Sequence, residues 1–199
     1  PSKGVITEEF PYLEIAKEYE IAGASAISCL TEPYYFQGKD LYLKEITQHV
    51  TIPVLRKDFT VDPYMIYQAR TLGASAILLI CSLLSQSELE EYQAMATELG
   101  MSALVEAHDE REVEMALRAE ASIIGVNNRN LKTFTVDINN SARYRKMVPK
   151  EVAFVSESGI KTAEDIAKLL ENGTDAVLIG ETLMRSENKK QALDELRGI

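Results

Sequence analysis

Three adjacent charged residues interrupt an apolar segment of the sequence. The stretch TIPVLRKDFTV, residues 51–61, reads as a buried strand that carries Arg56, Lys57 and Asp58 near its end. An unpaired charge is costly to bury, so the triplet indicates either an exposed strand end or a site that needs a cation. The segment SALVEAH places Glu106 at a similar strand end. An ammonium and a carboxylate held near each other shift each other's proton affinity, which suits proton transfer.

Side-chain alternation predicts which of these groups face the same way. Lys57 shares a strand face with Leu55, and Glu106 shares one with Leu104. If both faces point inward, the ammonium and the carboxylate meet in one pocket. The alternative is an ion pair that serves structure alone. The two charged neighbours of Lys57 fall on the opposite face, where we expect bonds to neighbouring loops.

An internal repeat predicts the elements that position these groups. The segments GASAIS, GASAILLI, AEASIIGV and GTDAVLIG begin about 50 residues apart, and each reads as a turn followed by a short strand. Three further strands, in IPVLRKDF, SALVEAH and VAFVSESG, lie half-way between them. Amphipathic helices fill the gaps, for example TAEDIAKLLENG, with a capping pattern from Thr162 to Asp165 and Gly173 at its end.

This alternation of strands and helices predicts an α/β fold, a single (β/α)₈ barrel domain over residues 1–199 with seven detectable β/α units. The eighth strand is missing from the pattern, because PSKGVITEEF reads as a loop. We therefore expect the first strand and an N-terminal extension to lie upstream. Open strand edges would then favour self-association.

Polar residues follow most of the predicted strands. They are Glu32, Lys57, Glu106, Asn127 with Arg129, Glu157 with Ser158, and Gly180. In parallel β/α barrels, catalytic groups cluster at these carboxyl ends, and the loops after the last two strands commonly bind phosphate. Backbone N–H groups at Gly159, Gly180 and Glu181 are candidates for that role if helices begin there. Either glycine alone is more often a plain turn residue.

Composition excludes several other classes of protein. The chain has 199 residues, of which 46% are hydrophobic and 26% charged, and its net charge is -10. Such an acidic chain is a poor general binder of nucleic acid or of anionic membranes. No apolar run approaches the roughly 20 residues that span a bilayer, so we expect a cytoplasmic protein. Cys29 and Cys81 are expected to be buried, reduced thiols, and His49 and His108 to have no catalytic role.

The ordered motifs resemble one family, the indole-3-glycerol phosphate synthases. The resemblance runs through PSKGVI, AISCLTEPYYFQG, PVLRKDFTVDPYMIYQAR, ALVEAHDE, IIGVNNRNLKTFTVD, VSESGIKT and AVLIGETLM. It implies closure of the pyrrole ring of a carboxyphenylamino-deoxyribulose phosphate, with release of carbon dioxide and water and without an organic cofactor or metal. Lys57 then resembles the general acid at the ribulose carbonyl, and Glu106 the group that moves protons in the later dehydration.

The resemblance also implies roles for the remaining candidates. Asn127, Arg129, Glu157 and Ser158 are similar to the substrate-orienting polar shell, and Gly159, Gly180 and Glu181 to the phosphate cradle. Glu181 stands where some members carry serine, so its backbone N–H alone would help. Phe36, Phe59 and Leu78 match the apolar pocket for the anthranilate ring, although Leu78 is equally well explained by core packing.

One part of the family pattern is not found. Upstream of PSKG, members carry a strand reading roughly Glu-x-Lys, followed after two residues by a serine, and Lys3 does not take that lysine's role. We therefore expect residues 1–199 alone to be nearly inactive. Two other functions remain open: an aldose-ketose isomerase on the same barrel, and a non-catalytic fragment that binds phosphate or assembles with a complementary strand. Formation of indole, followed by its absorbance, distinguishes a synthase from the isomerase. Activity restored by adding the upstream strand distinguishes a split enzyme from a non-catalytic fragment.

Overall fold

A computed structural model describes residues 10–130 and 133–199. These residues form one curled parallel sheet of seven strands in the order β1-β2-β3-β4-β5-β6-β7. The strands are β1 (Ile27–Leu30), β2 (Val54–Lys57), β3 (Ala76–Ile80), β4 (Ser102–Ala107), β5 (Ile123–Asn127), β6 (Ala153–Glu157) and β7 (Ala176–Leu178). Every strand predicted from the repeat is confirmed.

Helices connect the strands. They are α1 (Tyr12–Ile21), α2 (Asp40–His49), α3 (Pro63–Thr71), α4 (Gln86–Glu98), α5 (Glu110–Arg118), α6 (Asn139–Arg145), α7 (Ala163–Glu171), α8 (Glu181–Arg185) and α9 (Lys189–Arg197), with a 3-10 turn at Cys81–Leu83. Consecutive parallel strands joined through helices are the α/β arrangement of TIM-barrel-like folds. In the described part of the chain, no helix is long and apolar enough to span a bilayer.

The sheet separates two apolar clusters. Ile77, Leu79 and Val105 belong to the large cluster that the strands share with the helices. Leu55, Leu78, Ile80 and Leu104 form a smaller cluster on the inner face. The alternation predicted for β2 and β4 is therefore confirmed, because Leu55 and Leu104 lie on the same side of the sheet.

Local sequence signals set the helix ends. The Thr162 side chain accepts a hydrogen bond from the backbone N–H of Asp165, whose side chain accepts one in return, so the predicted capping box at the start of α7 is confirmed. Gly173 follows the end of α7 with φ of +85°, a conformation that favours glycine. The two cysteines are buried free thiols, as expected.

The two ends of the strand order are β1 and β7, and each pairs with a single strand among the described residues. The expected loop in PSKGVITEEF, including Lys3, falls on residues 1–9 and so lies outside the described ranges.

Candidate active site

One lysine lies between two buried carboxylates on the inner face of the sheet. Lys57 Nζ, at the end of β2, is 3.1 Å from Glu106 Oε2 and 3.7 Å from Glu157 Oε2. Glu106 and Glu157 belong to β4 and β6, and each side chain is at most 3% exposed. Alternate parallel strands thus deliver three ionisable groups to one point, as inward residues of a barrel do. The side chain of Lys57 keeps 18% of its surface exposed, which leaves access to a ligand.

The two carboxyl groups differ in proton affinity. Burial raises the pKa of Glu106, but Lys57, His108 and Asn127 outweigh it and hold that pKa below its usual range. Burial and the nearby charge of Glu106 raise the pKa of Glu157 to about 7, with Lys57 acting in opposition. Glu106 is therefore ionised at neutral pH, whereas Glu157 holds its proton more tightly than an ordinary glutamate.

Lys57 itself remains a cation. Burial would lower its pKa, yet Glu106 and Glu157 together raise it above the usual value. The group at the centre of the cluster thus starts in the protonated form that a proton donor needs.

Asn127 connects this cluster to the loop after β5. Its Nδ2 donates to Glu106 Oε1 over 3.0 Å, and its Oδ1 accepts from the backbone N–H of Arg129, also over 3.0 Å. Arg129 forms an isolated antiparallel bridge with Val136, which anchors the same loop. The amide of Asn127 is therefore oriented by bonds on both of its polar atoms.

A glycine in β5 makes room for Glu157. A Cβ atom at Gly125 would lie 2.2 Å from Glu157 Oε1, so no side chain fits there unless the carboxylate moves. Glu157 Oε1 has no hydrogen-bond partner among the described residues. Sequence reasoning missed this contact, although a glycine inside the strand segment IIGVN is a signal of close approach.

His108 also reaches the cluster, although we expected no role for it. Its Nε2 lies 3.1 Å from Glu106 Oε1, without the alignment of a hydrogen bond, and its Nδ1 lies 3.0 Å from Glu112 Oε2. Burial lowers the pKa of His108, but the two carboxylates outweigh it and raise that pKa to about 9. The imidazole therefore contributes a second positive charge beside Glu106.

Aromatic side chains flank the cluster. Phe36 and Phe59 stack with ring centroids 5.1 Å apart and an interplanar angle of 27°. Phe59 also packs against the inner cluster that contains Leu78, a residue only 2% exposed. The structure thus brings the three predicted pocket residues to one side of the site, with Leu78 in the buried layer.

The loop that carries Phe36 is organised by Glu32, the first charged residue after β1. Its carboxylate accepts backbone hydrogen bonds from Tyr34, Tyr35 and Phe36 at 2.9, 2.5 and 3.0 Å. These bonds lower the pKa of Glu32 although burial opposes them. Glu32 therefore shapes the loop.

The predicted phosphate loops adopt unusual backbone conformations. Ser158 and Gly159 have φ of +67° and +83°, and a Cβ at Gly159 would lie 2.3 Å from Val136 Cγ1. Positive φ at a residue other than glycine marks local strain of the kind found at functional sites. The expectation that a helix begins beside Gly159 is wrong, because the Thr162 capping box delays α7 to Ala163.

The second predicted phosphate loop does begin a helix. Gly180 is the N-cap of α8, and Thr182 Oγ1 donates to the carbonyl of Ile160 over 2.9 Å, which joins the loops after β6 and β7. Glu181 Oε1 accepts from Arg185 Nε over 3.1 Å, so this carboxylate is directed along the helix.

A cleft of about 810 Å³ lies at the other end of the strands. Its lining includes Ser102 at the start of β4 and Ser122 just before β5. Lys57 stands at the carboxyl end of its strand, so this cleft is separate from the candidate site.

Comparison with known proteins identifies relatives of the whole chain. The family model described as indole-3-glycerol phosphate synthase matches residues 1–196. A protein of that name from Ruminiclostridium cellulolyticum is 61% identical over 198 residues, which cover 100% of this chain and 76% of the relative. Another from Lacticaseibacillus paracasei is 58% identical over 97% of this chain and 74% of its own length.

Solved structures of other proteins share the fold. Thiamine phosphate pyrophosphorylase from Pyrococcus furiosus superposes with a TM-score of 0.75 at 17% identity, covering 94% of this chain and 88% of that one. A chain of the tryptophan synthase complex of the same organism gives 0.71 at 15% identity, covering 94% and 91%. Sequence identities this low support a shared fold and say nothing about a shared function. The family match and the high identities, by contrast, extend over the full sequence, and the chain belongs to the indole-3-glycerol phosphate synthase family of carboxy-lyases.

Proposed function

We propose that this chain, once an eighth strand completes its barrel, closes the indole ring of 1-(2-carboxyphenylamino)-1-deoxyribulose 5-phosphate, with loss of carbon dioxide and water. The observation that carries the proposal is the position of Lys57 Nζ, within 3.7 Å of a carboxylate oxygen of both Glu106 and Glu157. A buried cation with two carboxylates of unlike proton affinity provides a donor and an acceptor in one place.

In the first step, the ring carbon that bears the carboxylate attacks the ribulose carbonyl carbon. A carbon–carbon bond forms, and the carbonyl oxygen takes a proton from the ammonium of Lys57. Charge develops on that oxygen during the attack, so a cation held on a strand stabilises it without reorganisation. The contacts of Lys57 with Glu106 and Glu157 support this role, because they keep the amine protonated.

In the later steps, carbon dioxide leaves and its bonding electrons return to the ring, which becomes aromatic again. The new hydroxyl group then takes up a proton, which the protonated form of Glu157 can supply, and departs as water, while a proton is lost from the neighbouring carbon. Glu106, ionised at neutral pH, is the acceptor for such a proton. Glu157, whose pKa is raised to about 7, is able to hold or release a proton in the same cavity.

The remaining predicted residues bind the two ends of the substrate. Phe36 and Phe59, with Leu78 beneath them, supply an apolar wall for the aromatic ring. We assign the phosphate to backbone N–H groups of Gly159, Gly180 and Glu181. The hydrogen bond between Thr182 and Ile160, which ties these loops together, supports this assignment. Asn127, Arg129 and Ser158 would orient the polar chain between the two ends.

Indole absorbance and release of carbon dioxide from the substrate test the reaction. We expect both to appear together in equal amounts, since one of each forms per turnover. An aldose-ketose substrate of a barrel isomerase serves as the comparison. The proposal would be overturned if the protein converted the aldose-ketose substrate and formed no indole from the carboxyphenylamino-deoxyribulose phosphate.

The edges of the sheet give a related prediction. A strand paired with both β1 and β7 would close an eight-stranded barrel, and we expect residues 1–199 without such a strand to have little activity. A peptide carrying the family's Glu-x-Lys strand is expected to restore turnover to a preparation verified by mass to begin at Pro1. Full activity of that preparation without the peptide would contradict this prediction.

A further inference from the structure

His108 bridges two glutamates at the end of β4. Its ring contacts Glu106 through Nε2 at 3.1 Å and Glu112 through Nδ1 at 3.0 Å, and only 14% of the side chain is exposed. Glu112 is 17% exposed, so the contact between His108 and Glu112 is largely shielded from solvent. Shielding strengthens the interaction of opposite charges relative to a surface pair.

The start of α5 holds Glu112 in place. Asp109 is the N-cap of this helix, and its carboxylate accepts the backbone N–H of Glu112 over 2.9 Å. Glu112 Oε2 in turn accepts the backbone N–H of His108 over 2.8 Å, in addition to its contact with the ring. Main chain and side chain of His108 are therefore fixed by one carboxylate, which turns Nε2 toward Glu106.

Both oxygens of Glu106 are thereby occupied. Oε2 faces Lys57 at 3.1 Å, while Oε1 accepts from Asn127 and lies 3.1 Å from His108. With His108 charged, the row from Glu112 through His108 and Glu106 to Lys57 alternates in sign. A carboxylate held in this way has little freedom to rotate and strongly prefers the ionised form.

The ionisable groups around His108 and its two glutamate partners come from several elements. They are Glu106 on β4, Asp109 and Glu112 at the start of α5, Cys81 after β3, Lys57 on β2 and Glu157 on β6. Acidic groups outnumber the cationic ones, which favours a positive charge on the imidazole despite its burial.

We propose that His108, held as a cation by Glu112, is a positioning residue that fixes the Glu106 carboxylate beside Lys57 and keeps it ionised. This role rests on the proposed function, in which Glu106 accepts a proton. The proposal adds His108 and Glu112 to that site, so that the site reaches the start of α5. Loss of the His108 charge is expected to raise the pKa of Glu106 and so to move the acid limit of activity upward.

The first test is a histidine titration by NMR, which needs no turnover. The chain has two histidines, and exposed His49 serves as the internal reference. We expect the His108 ring to titrate well above its ordinary pKa, and Glu112→Gln to lower that pKa by about one unit or more. A His108 pKa at its ordinary value, or one insensitive to Glu112→Gln, would overturn the proposal.

The second test is the pH profile of kcat/KM for His108→Gln, with His49→Gln as the matched control. We expect the acid limb to move up by about one pH unit and kcat to fall about tenfold, with KM changed less than threefold. A merely structural role would lower activity without moving the limb, and that result would refute the positioning role. Absence of indole formation by the unaltered chain supplied with the Glu-x-Lys strand peptide would instead reject the synthase proposal, and the NMR titration would still decide the His108 contact.

Discussion

Arg56 and Lys57 are neighbours in β2, yet their side chains lie on opposite faces of the sheet in very different surroundings. Arg56 is 4% exposed, and its nitrogens donate to Thr31 Oγ1 at 3.1 Å, to the carbonyl of Met65 at 2.9 Å and to Asp40 Oδ1 at 3.0 Å. These bonds attach β2 to the loop after β1, to α3 and to the start of α2. A guanidinium with such fixed partners serves the fold.

The Lys57 side is crowded with like charges. Its ammonium faces Glu106 and Glu157, and one oxygen of Glu157 has no hydrogen-bond partner among the described residues. The raised pKa of Glu157 shows that the lysine does not fully compensate both carboxylates. A buried charge with saturated hydrogen bonds therefore holds the structure together, whereas an incompletely compensated cluster that is open to a ligand is suited to chemistry.

The largest effect is expected for Lys57→Met. The substitution removes the proton donor but keeps an apolar stem beside Leu55, so kcat/KM should fall about 10³-fold. The protein should remain folded, because Glu106 keeps Asn127 and His108 as partners and Glu157 can take up a proton. Steady-state kinetics and circular dichroism measure the two properties. Lys44→Met, at an exposed position on α2, is the control and should match the unaltered enzyme. If kcat/KM of Lys57→Met stayed within tenfold of the unaltered enzyme, the Lys57 face of β2 would not be the catalytic one.

Arg56→Met should lower the stability of the fold and leave the chemistry of the folded protein nearly unchanged. Asp58, also buried, would lose its guanidinium partner, and breaking a buried pair typically costs about 3–5 kcal/mol. Urea denaturation measures this loss in the free energy of unfolding, and kcat per folded molecule should change little. Arg70→Met, exposed on α3, is expected to change stability by less than about 0.5 kcal/mol. Equal stability of the two variants would contradict the structural role of Arg56.

Gly125→Ala should disturb the inner face of the sheet without removing a charged group. The new methyl group would collide with Glu157 Oε1 and displace the carboxylate, so we expect a loss of about 1–3 kcal/mol in stability and a 10- to 100-fold fall in kcat. Adding Glu157→Asp, whose shorter side chain leaves space, should restore much of the stability but not the rate. Additive losses in the double variant would show that the two residues do not contact each other.

Sequence periodicity was sufficient to predict the strands and the faces of β2 and β4. The repeat located each strand, and alternation placed Lys57 with Leu55 and Glu106 with Leu104, because a strand has only two faces. The bond of Arg56 to Thr31, in the loop after β1, agrees with the expectation of bonds to neighbouring loops, whereas its bonds to Met65 and Asp40 reach helices α3 and α2.

Contacts between distant segments were not predictable in this way. Gly125 meets Glu157 only because β5 and β6 pair in one particular register, with Gly125 opposite Val155. His108 joins the site because Asp109 caps α5 and holds Glu112, whose carboxylate contacts the ring. Gly159 was expected beside a helix start, but a left-handed turn at Ser158 precedes the capping box. Each of these outcomes depends on three-dimensional packing that a single sequence does not specify.

The smallest expected effect is on the pH dependence of stability. The pKa of Glu157 in the folded protein, about 7, is higher than its ordinary value of 4.5. The folded protein therefore binds this proton more tightly than the unfolded chain does. The resulting stabilisation is fully present below pH 4.5 and is lost as the pH rises through 7. Glu157→Gln cannot titrate and should gain roughly 1–3 kcal/mol relative to the unaltered protein between pH 5 and pH 8. Urea denaturation of both proteins at pH 5 and pH 8 measures this gain in the free energy of unfolding. The same difference between the two proteins at both pH values would contradict the raised pKa.

The most direct test concerns the protonation of the two carboxyl groups around Lys57. Infrared spectra of protein labelled with ¹³C at the glutamate carboxyl groups distinguish a carboxylic acid from a carboxylate, and exposed glutamates are ionised at pH 6. We predict an acid band at pH 6 that disappears with a midpoint near pH 7 and is absent from Glu157→Gln. No acid band at pH 6, or a band that persists in that variant, would show that the inner face does not hold one ionised and one protonated carboxyl group.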